Sequence, residues 1–202
     1  MRKLATLLFP GFELLDATGP LQMFGLLKED FELVMVAEEP GPVVSNQAVS
    51  LIADEGFNTT ADFDLILVPG GMGTRQQVFS QGLLNWLVKT SAKAELVASV
   101  CTGSALLAKA GVLDGRKATT NKAAFHWVTE QSSKVEWIRE ARWVEDGRFF
   151  SSSGVSAGMD MSLAVIARLL GQEQADQVAM WAEYDWHRDP SWDPFAKIHG
   201  LV

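Results

Sequence analysis

The segment that sets the expected fold of this chain is Glu95-Leu-Val-Ala-Ser-Val-Cys101-Thr-Gly-Ser-Ala-Leu106. Its first part, Leu96–Val100, is a short and mostly apolar run, which is typical of a strand buried on both faces of a parallel sheet. A helical pattern over Ser104–Ala110 follows almost at once, so Cys101 lies on a tight strand-to-helix turn. In an elbow of this kind the central side chain is exposed at the top of the sheet.

Apolar strands alternate with helical patterns along the rest of the chain, and turn residues predict two hairpins, the first of them at the sheet edge. This order predicts an α/β fold, a mostly parallel sheet with helices on both faces. The predicted strands are Leu4–Phe9, Phe31–Ala37, Asp64–Val68 and Leu96–Val100; the hairpins are Val43–Ser45 with Val49–Ile52, and Ala141–Val144 with Arg148–Ser151 around Asp146–Gly147; the helices are Asp16–Leu27, Gln76–Ala92, Ser104–Ala110, Ala123–Gln131, Met159–Leu170 and Gln172–Trp181.

The composition is that of a globular protein with one domain over residues 1–202, ending in an irregular aromatic tail from about residue 183. The net charge of −8 argues against a nucleic-acid partner, and the single cysteine excludes an intrachain disulfide. No window reaches the roughly 18 apolar residues of a membrane span. The apolar run Leu4–Phe9 is too short for a signal peptide, so we expect a cytoplasmic protein without membrane association.

Cys101 has two interpretations from its position alone. At a helix N-terminus, free N–H groups and the helix dipole favour the reactive thiolate, and Thr102 and Ser104 can cap those groups or contact the sulfur. Alternatively, Cys101 is a buried structural residue, because free cysteine is among the most buried residue types. Both interpretations stay open at this point.

A glycine-rich loop, Pro69-Gly-Gly-Met-Gly73, follows the predicted strand Asp64–Val68. Its glycines permit positive φ and close backbone approach, so its N–H groups could stabilise a developing negative charge. The alternative is an ordinary turn. The loop matches neither the phosphate-binding nor the dinucleotide-binding glycine pattern, so it predicts no nucleotide site.

Asp16 follows the first strand at the expected start of a helix. It could simply cap that helix. Alternatively, it lies beside Cys101, because both residues follow strands at the same end of the sheet. Two negative charges in one pocket repel each other, so such a pair would hold a single proton and Asp16 would act as its acid/base partner.

Five motifs in this order resemble the ThiJ/PfpI superfamily, which has the flavodoxin-like fold of the class I glutamine amidotransferases. The resemblance extends from about Leu4 to about Leu170 and is greatest to its isocyanide (isonitrile) hydratase branch, which has aspartate at the position of Asp16 and Cys-Thr-Gly at the elbow. The motifs are Asp16-x-x-Gly-Pro20, Pro69-Gly-Gly71, Ser99-Val-Cys-Thr-Gly103, Ala118-Thr-Thr120 and Gly154-x-x-Ala-Gly-x-Asp160.

The resemblance implies a role for each matching residue. It implies that Cys101 is the nucleophile and Asp16 its general acid/base, with Thr102 beside them. It also implies a homodimer acting on a small molecule without a cofactor or metal. The expected backbone donors to an oxyanion are Gly70, Gly71 and Thr102, and the expected substrate-pocket residues are Gly73, Thr120 and Gly154.

Two departures from the family pattern bear on the substrate. Thr102 stands where the protease-like branch has histidine, which argues against cleavage of peptides or amides because no histidine is provided there to activate the sulfur and protonate the leaving amine. After Thr120, Asn121 and Lys122 occupy positions where the hydratase branch often has histidine and tryptophan. The next histidine, His126, is expected on a helix surface.

Three functions therefore remain open. The first is hydration of a small isocyanide to an N-substituted formamide. The second is action on a small 2-oxoaldehyde, of the glyoxalase or deglycase type, which Asp16 in place of glutamate makes less favoured. The third is a non-enzymatic redox or ligand sensor, since related domains occur fused to helix-turn-helix segments in transcription regulators and a low-pKa cysteine is readily oxidised.

Overall fold

The computed structural model describes all residues from Met1 to Val202, with eleven strands and eight helices. The strands are β1 (Arg2–Leu7), β2 (Phe31–Ala37), β3 (Gly41–Val44), β4 (Ser50–Ala53), β5 (Glu55–Gly56), β6 (Leu65–Val68), β7 (Leu96–Val100), β8 (Lys117–Ala118), β9 (Glu136–Trp137), β10 (Trp143–Asp146) and β11 (Phe149–Ser152). The helices are α1 (Leu14–Gly25), α2 (Thr74–Gln77), α3 (Gln81–Lys93), α4 (Gly103–Lys109), α5 (Phe125–Thr129), α6 (Ala157–Leu170), α7 (Gln172–Trp181) and α8 (Pro194–Ile198).

A seven-stranded sheet in the order β10-β11-β7-β6-β1-β2-β5 forms the centre of the molecule. All its neighbouring strands are parallel except the β10–β11 hairpin. Strand β7 pairs Leu96 with Leu65 of β6 on one side and Val97 with Phe149 of β11 on the other. Cys101 follows an internal strand, and the predicted α/β fold with a mostly parallel sheet is confirmed.

Helices cover both faces of this sheet. One hydrophobic cluster includes Leu87 of α3 and Leu107 of α4, and a second includes Phe24 of α1, Ile166 of α6 and Val178 of α7. Each buried side chain of this size contributes roughly 1.5–3 kcal/mol relative to its exposed state. The two clusters hold the sheet rigid at the strand ends where Cys101 lies. None of the helices combines the length and hydropathy needed to cross a bilayer.

Two predicted elements differ in arrangement from those observed. The single helix predicted over Gln76–Ala92 is divided into α2 and α3, because the Ser80 side chain caps α3 by accepting the N–H of Leu83 at 3.3 Å. The β3–β4 hairpin forms its own two-stranded sheet, and the edge of the main sheet is β5 instead. Asp54 leaves the hairpin by donating its N–H to the carbonyl of Met35, which leads the chain into β5.

Smaller corrections concern turns and short elements. In the β10–β11 hairpin Asp146 pairs with Phe149, so the turn residues are Gly147 and Arg148, one position later than predicted. The helix predicted over Ala123–Gln131 is shorter, as α5, and the two-residue strands β8 and β9 had no recognisable pattern. The C-terminal segment, predicted to be irregular, contains helix α8, whose N-terminus is capped by the Asp193 side chain.

A buried carboxylate on α6 fixes this C-terminal segment to the body of the protein. Asp160 is fully buried and pairs with Arg142, whose Nε and Nη2 lie 2.7 and 2.6 Å from Oδ2. Its Oδ1 accepts the Tyr184 hydroxyl at 3.0 Å and the His187 N–H at 2.9 Å. Asp160, the last residue of the predicted Gly154–Asp160 motif, therefore attaches the C-terminal segment to α6.

We expect Asp160→Ala to lower the free energy of unfolding in urea by about 3 kcal/mol, because it leaves the guanidinium of Arg142 buried without its partner. Asp176→Ala is the control: its ion pair with Arg188 is exposed, so its loss should cost less than about 1 kcal/mol. Equal effects of the two substitutions would contradict this role for Asp160.

Candidate active site

The elbow after β7 holds Cys101 in a backbone conformation that non-glycine residues rarely adopt, with φ at 56°. Such a residue costs on the order of 1–3 kcal/mol and persists only when its surroundings enforce it. Its N–H donates to the carbonyls of Ser152 and Ser153 at 3.2 and 3.0 Å. Its own carbonyl accepts the Thr120 and Ser104 hydroxyls at 2.9 and 3.1 Å. Four contacts thus fix the turn from both sides.

Glycines allow the neighbouring segments to approach this turn. A Cβ on Gly103 would lie 2.1 Å from the Val68 carbonyl oxygen, so α4 can begin against the end of β6 only with glycine there. A Cβ on Gly70 would lie 2.5 Å from the Thr102 nitrogen and 2.9 Å from Asp16 Oδ2. The loop after β6 therefore brings the elbow and Asp16 together by close backbone approach.

Asp16 is the third residue of α1 and does not cap it, since Glu13 occupies the N-cap position. Its side chain is fully buried, and Oδ2 accepts the Gly70 N–H at 2.9 Å. Oδ1 has no hydrogen-bond partner of good geometry, and the Cys101 thiol is a polar neighbour of the Asp16 carboxyl group. Of the two interpretations of Asp16, the structure favours a carboxyl group directed to Cys101.

Burial raises the pKa of Asp16 from its ordinary value to about 7. The Gly70 N–H acts in the opposite direction, and the negative charge of Glu13 adds to the rise. A carboxyl group that titrates near neutral pH can both take and give a proton at that pH, as a general acid/base requires.

The Cys101 thiol is 7% exposed, and burial together with the charge of Asp16 raises its pKa. The backbone N–H groups of Thr102 and Val155 act in the opposite direction but are outweighed. The expectation that the helix terminus alone would give a resting thiolate therefore needs correction. The pocket resists a second negative charge, so the pair retains a proton at neutral pH.

The predicted oxyanion donors Gly70 and Gly71 use their N–H groups within the protein. Gly70 donates to Asp16, and Gly71 donates to Thr102 Oγ1 at 3.0 Å. The Thr102 hydroxyl also lies 3.1 Å from that of Thr74. These contacts correct the oxyanion assignment: the two glycines position Asp16 and Thr102. Of the predicted donors, the Thr102 N–H is the one that faces the sulfur.

Two of the three predicted pocket residues have backbone roles instead. Gly73 donates its N–H to the Gly11 carbonyl at 3.0 Å, and its Cα is so close to Pro10 that a Cβ would lie 2.0 Å from the Pro10 oxygen. The Thr120 hydroxyl donates a hydrogen bond to the Cys101 carbonyl. Gly154 does line a cavity, where a Cβ would lie 2.3 Å from the amide nitrogen of Asn121.

The cavity at Gly154 has a volume of about 210 Å³ and lies against the elbow. Val155, whose N–H faces the sulfur, and Ser153, whose carbonyl accepts the Cys101 N–H, both line it, so the cavity adjoins the elbow although Cys101 itself is not a lining residue. Phe195 and His199 of the C-terminal segment also line it. A larger cavity of about 380 Å³, between α6 and the C-terminal segment, includes none of these residues.

The pattern of the sequence did not reveal the position of Lys122. This residue is 3% exposed, and its Nζ donates to Thr119 Oγ1 at 2.7 Å and to the Ala141 carbonyl at 2.6 Å. Burial lowers the pKa of Lys122 to about 8. His126 is exposed on α5, as predicted. No group of three or more His, Cys, Asp or Glu side chains is placed to hold a metal ion.

Comparison with known families agrees with this geometry. The model of the DJ-1/PfpI family matches residues 2–168. The chain belongs to the DJ-1/PfpI family. The ThiJ/PfpI resemblance predicted from the five motifs is thereby confirmed, while the C-terminal segment with α8 lies outside the matched range.

The similar DJ-1/PfpI proteins include both an enzyme and a transcriptional regulator. The chain is 34% identical to an isonitrile hydratase of Pseudomonas putida, over 88% of this chain and 76% of that protein. It is 29% identical to the HTH-type transcriptional regulator CdhR of Pseudomonas aeruginosa, over 86% of this chain and 52% of the regulator. A ThiJ/PfpI family protein from Pseudomonas syringae superposes with a TM-score of 0.83 at 31% identity, covering 91% of this chain and 75% of that one.

We expect Thr120→Val to lower the free energy of unfolding by about 1–2 kcal/mol, because it removes one of the two hydroxyls that hold the Cys101 carbonyl. It should also slow alkylation of Cys101 by iodoacetamide severalfold, measured by intact mass. Thr90→Val is the control, since its hydroxyl donates to the Trp86 carbonyl within α3. If both variants react at the wild-type rate, the Thr120 hydroxyl does not hold the elbow in the conformation in which the reagent reaches Cys101.

Proposed function

We propose that this DJ-1/PfpI protein hydrates a small isocyanide to the N-substituted formamide. The observation that carries the proposal is a single buried carboxyl group, Asp16, with a pKa of about 7, beside a cysteine at a constrained elbow. The identity of 34% with an isonitrile hydratase over most of the chain supports the same reaction.

In the first step of the proposed mechanism, the Asp16 carboxylate takes the thiol proton of Cys101. The sulfur then attacks the terminal isocyanide carbon, and an S–C bond forms. Asp16 returns its proton to that carbon, which gives a thioimidate, S–CH=N–R. The N–H groups of Thr102 and Val155 stabilise the sulfur while it carries negative charge.

In the second step, Asp16 is again a carboxylate and removes a proton from a water molecule that adds to the thioimidate carbon. That proton passes to the nitrogen. The resulting hydroxyl then becomes the formamide carbonyl as the C–S bond breaks, and its proton returns through Asp16 to the sulfur. One carboxyl group that alternates between acid and base is sufficient, because the reaction expels no amine.

Amide cleavage would require more than this site provides. A leaving amine must be protonated, and cysteine proteases use a histidine at the sulfur for that purpose. Neither Cys101 nor Asp16 has a histidine among the groups that affect its pKa, and His126 is exposed on α5. The site therefore supports addition to a carbon without a leaving group better than hydrolysis of a peptide.

We expect purified protein to convert alkyl and aryl isocyanides to formamides, monitored by loss of the isocyanide infrared band. Cys101→Ala should abolish turnover, and Asp16→Asn should reduce kcat by at least about 100-fold, the usual contribution of a general acid/base. Thr90→Val serves as the matched control and should retain full activity.

The same panel separates the alternatives. Turnover of methylglyoxal, but of no isocyanide, in a Cys101-dependent manner would replace the hydratase by a 2-oxoaldehyde enzyme. Turnover of neither substrate, together with selective oxidation of Cys101 by peroxide, would support a sensor, in line with the similarity to a transcriptional regulator.

We further propose that the protein is a homodimer whose interface borders the site. Leu15 and Met72 are exposed apolar residues directly beside Asp16 and Gly71. Exposed Val44 belongs to the hairpin that receives the Gly11 N–H next to them. A second copy that covered these side chains would remove apolar surface from water next to Asp16 and Gly71.

Light scattering should therefore give about 44 kDa, twice the chain mass of 22.1 kDa. Met72→Glu should shift the protein towards the monomer at micromolar concentration, because it buries a charge in the interface. Met180→Glu, at an exposed position on α7, should not. A wild-type mass of one chain would refute the dimer.

A further inference from the structure

Lys122 is a buried cation with an unused donor. An ammonium group has three N–H donors, and two of them bond to Thr119 Oγ1 and the Ala141 carbonyl. The third has no acceptor in the structure. Asp193 attracts the ammonium electrostatically but forms no ion pair with it, and the buried Asp193 Oδ2 accepts no hydrogen bond. A buried charge left in this state is costly unless a ligand completes its contacts.

Lys122 lines the same 210 Å³ cavity as Val155, whose N–H faces the Cys101 sulfur. No carboxylate lines this cavity, and its other polar side chains include Asn121, Ser156 and His199. The Asn121 oxygen already accepts the Ala124 N–H at 3.0 Å, which leaves its NH₂ group as a donor. The cavity thus offers hydrogen-bond donors and a cation, and Asp193, the carboxylate that attracts this cation, is not among its lining residues.

We propose that this cavity binds the substituent of the substrate and selects one that carries a carboxylate, with Lys122 as the residue that recognises the charge. This inference rests on the proposed function for the identity of the reacting group, and the substrate class becomes a small carboxylate-bearing isocyanide. A carboxylate oxygen accepting the third N–H would form a charge-assisted hydrogen bond.

The C-terminal segment forms part of the wall of this cavity. Phe195 and His199, on and directly after α8, line the cavity opposite the elbow, although they lie beyond the family match that ends at residue 168. The Asp193 cap orders α8 by accepting the Phe195 N–H at 3.0 Å. Two of the lining residues therefore lie outside the family match, whereas Lys122, like Cys101 and Asp16, lies within it.

The test uses the fact that Cys101 is the only cysteine, so that alkylation of the whole protein reports on this site. Iodoacetate carries the carboxylate and iodoacetamide is its neutral analogue; in both reactions an S–C bond forms and iodide leaves. The ratio of the iodoacetate rate to the iodoacetamide rate should fall roughly tenfold in Lys122→Met, the loss of one charge-assisted contact. Lys109→Met removes the same charge from an exposed position on α4 and should leave the ratio unchanged. Equal ratios in wild type and Lys122→Met would overturn the proposal.

A second measurement needs no variant, because Lys122→Met could fail to fold. In the wild-type protein, propionate should protect Cys101 from iodoacetamide at a concentration at least severalfold lower than propionamide does. Equal protection by the two compounds would show that the third N–H of Lys122 does not prefer a charged acceptor. That result would overturn the carboxylate site.

Turnover then separates this inference from the proposed function. If isocyanides are substrates, isocyanoacetate should have a lower KM than its methyl ester, and Lys122→Met should raise that KM while kcat changes little. If no isocyanide turns over but propionate still protects Cys101, the reaction is wrong and the carboxylate site stands. A KM for isocyanoacetate equal to that of the ester would count against the site.

Discussion

The backbone turn at Cys101 is the constraint on which the rest of this structure depends. With a positive φ of 56°, the turn places the thiol beside Asp16 of α1 and Val155 before α6. Keeping it requires the two carbonyls that receive the Cys101 N–H and the hydroxyls of Ser104 and Thr120 on its carbonyl. The glycines at positions 70 and 103 are needed for the same reason, since side chains there would collide with the groups around the elbow.

Burial determines the chemistry that this turn makes available. Asp16 and Cys101 share a pocket in which burial raises the pKa of each group. The charge of Asp16 adds to the rise for Cys101, whereas the thiol, as a hydrogen-bond donor, acts against the rise for Asp16. The two groups therefore hold a proton at neutral pH that can be delivered to a substrate. Burial destabilises the charged form of Asp16, and for the same reason it allows this carboxyl group to transfer protons near neutral pH.

Local patterns in the sequence were sufficient to predict the sheet and the elbow, and to place Asp16 at the same end of the sheet as Cys101. They could not show which N–H groups were free, because Gly70 bonds to Asp16 across 54 positions and Gly71 to Thr102 across 31. Thr120 was placed in the pocket for a similar reason: its bond to the Cys101 carbonyl joins residues 19 positions apart. Lys122 was visible only as a departure from the family pattern, because its bond to the Ala141 carbonyl, 19 positions away, and its proximity to Asp193 arise from the tertiary fold.

The protonation of Asp16 is the property that tests this account most directly. Carbon-13 NMR of protein labelled at the aspartate carboxyl carbons, with Asp16→Asn to assign the signal, would follow its titration with pH. We expect a midpoint near pH 7 in the wild-type protein, and a midpoint still well above the ordinary value in Cys101→Ala, since burial is the main cause of the shift. A wild-type midpoint near the unperturbed aspartate value of about 4 would contradict this account, because Asp16 would then be a fully ionised carboxylate with no proton to deliver at neutral pH.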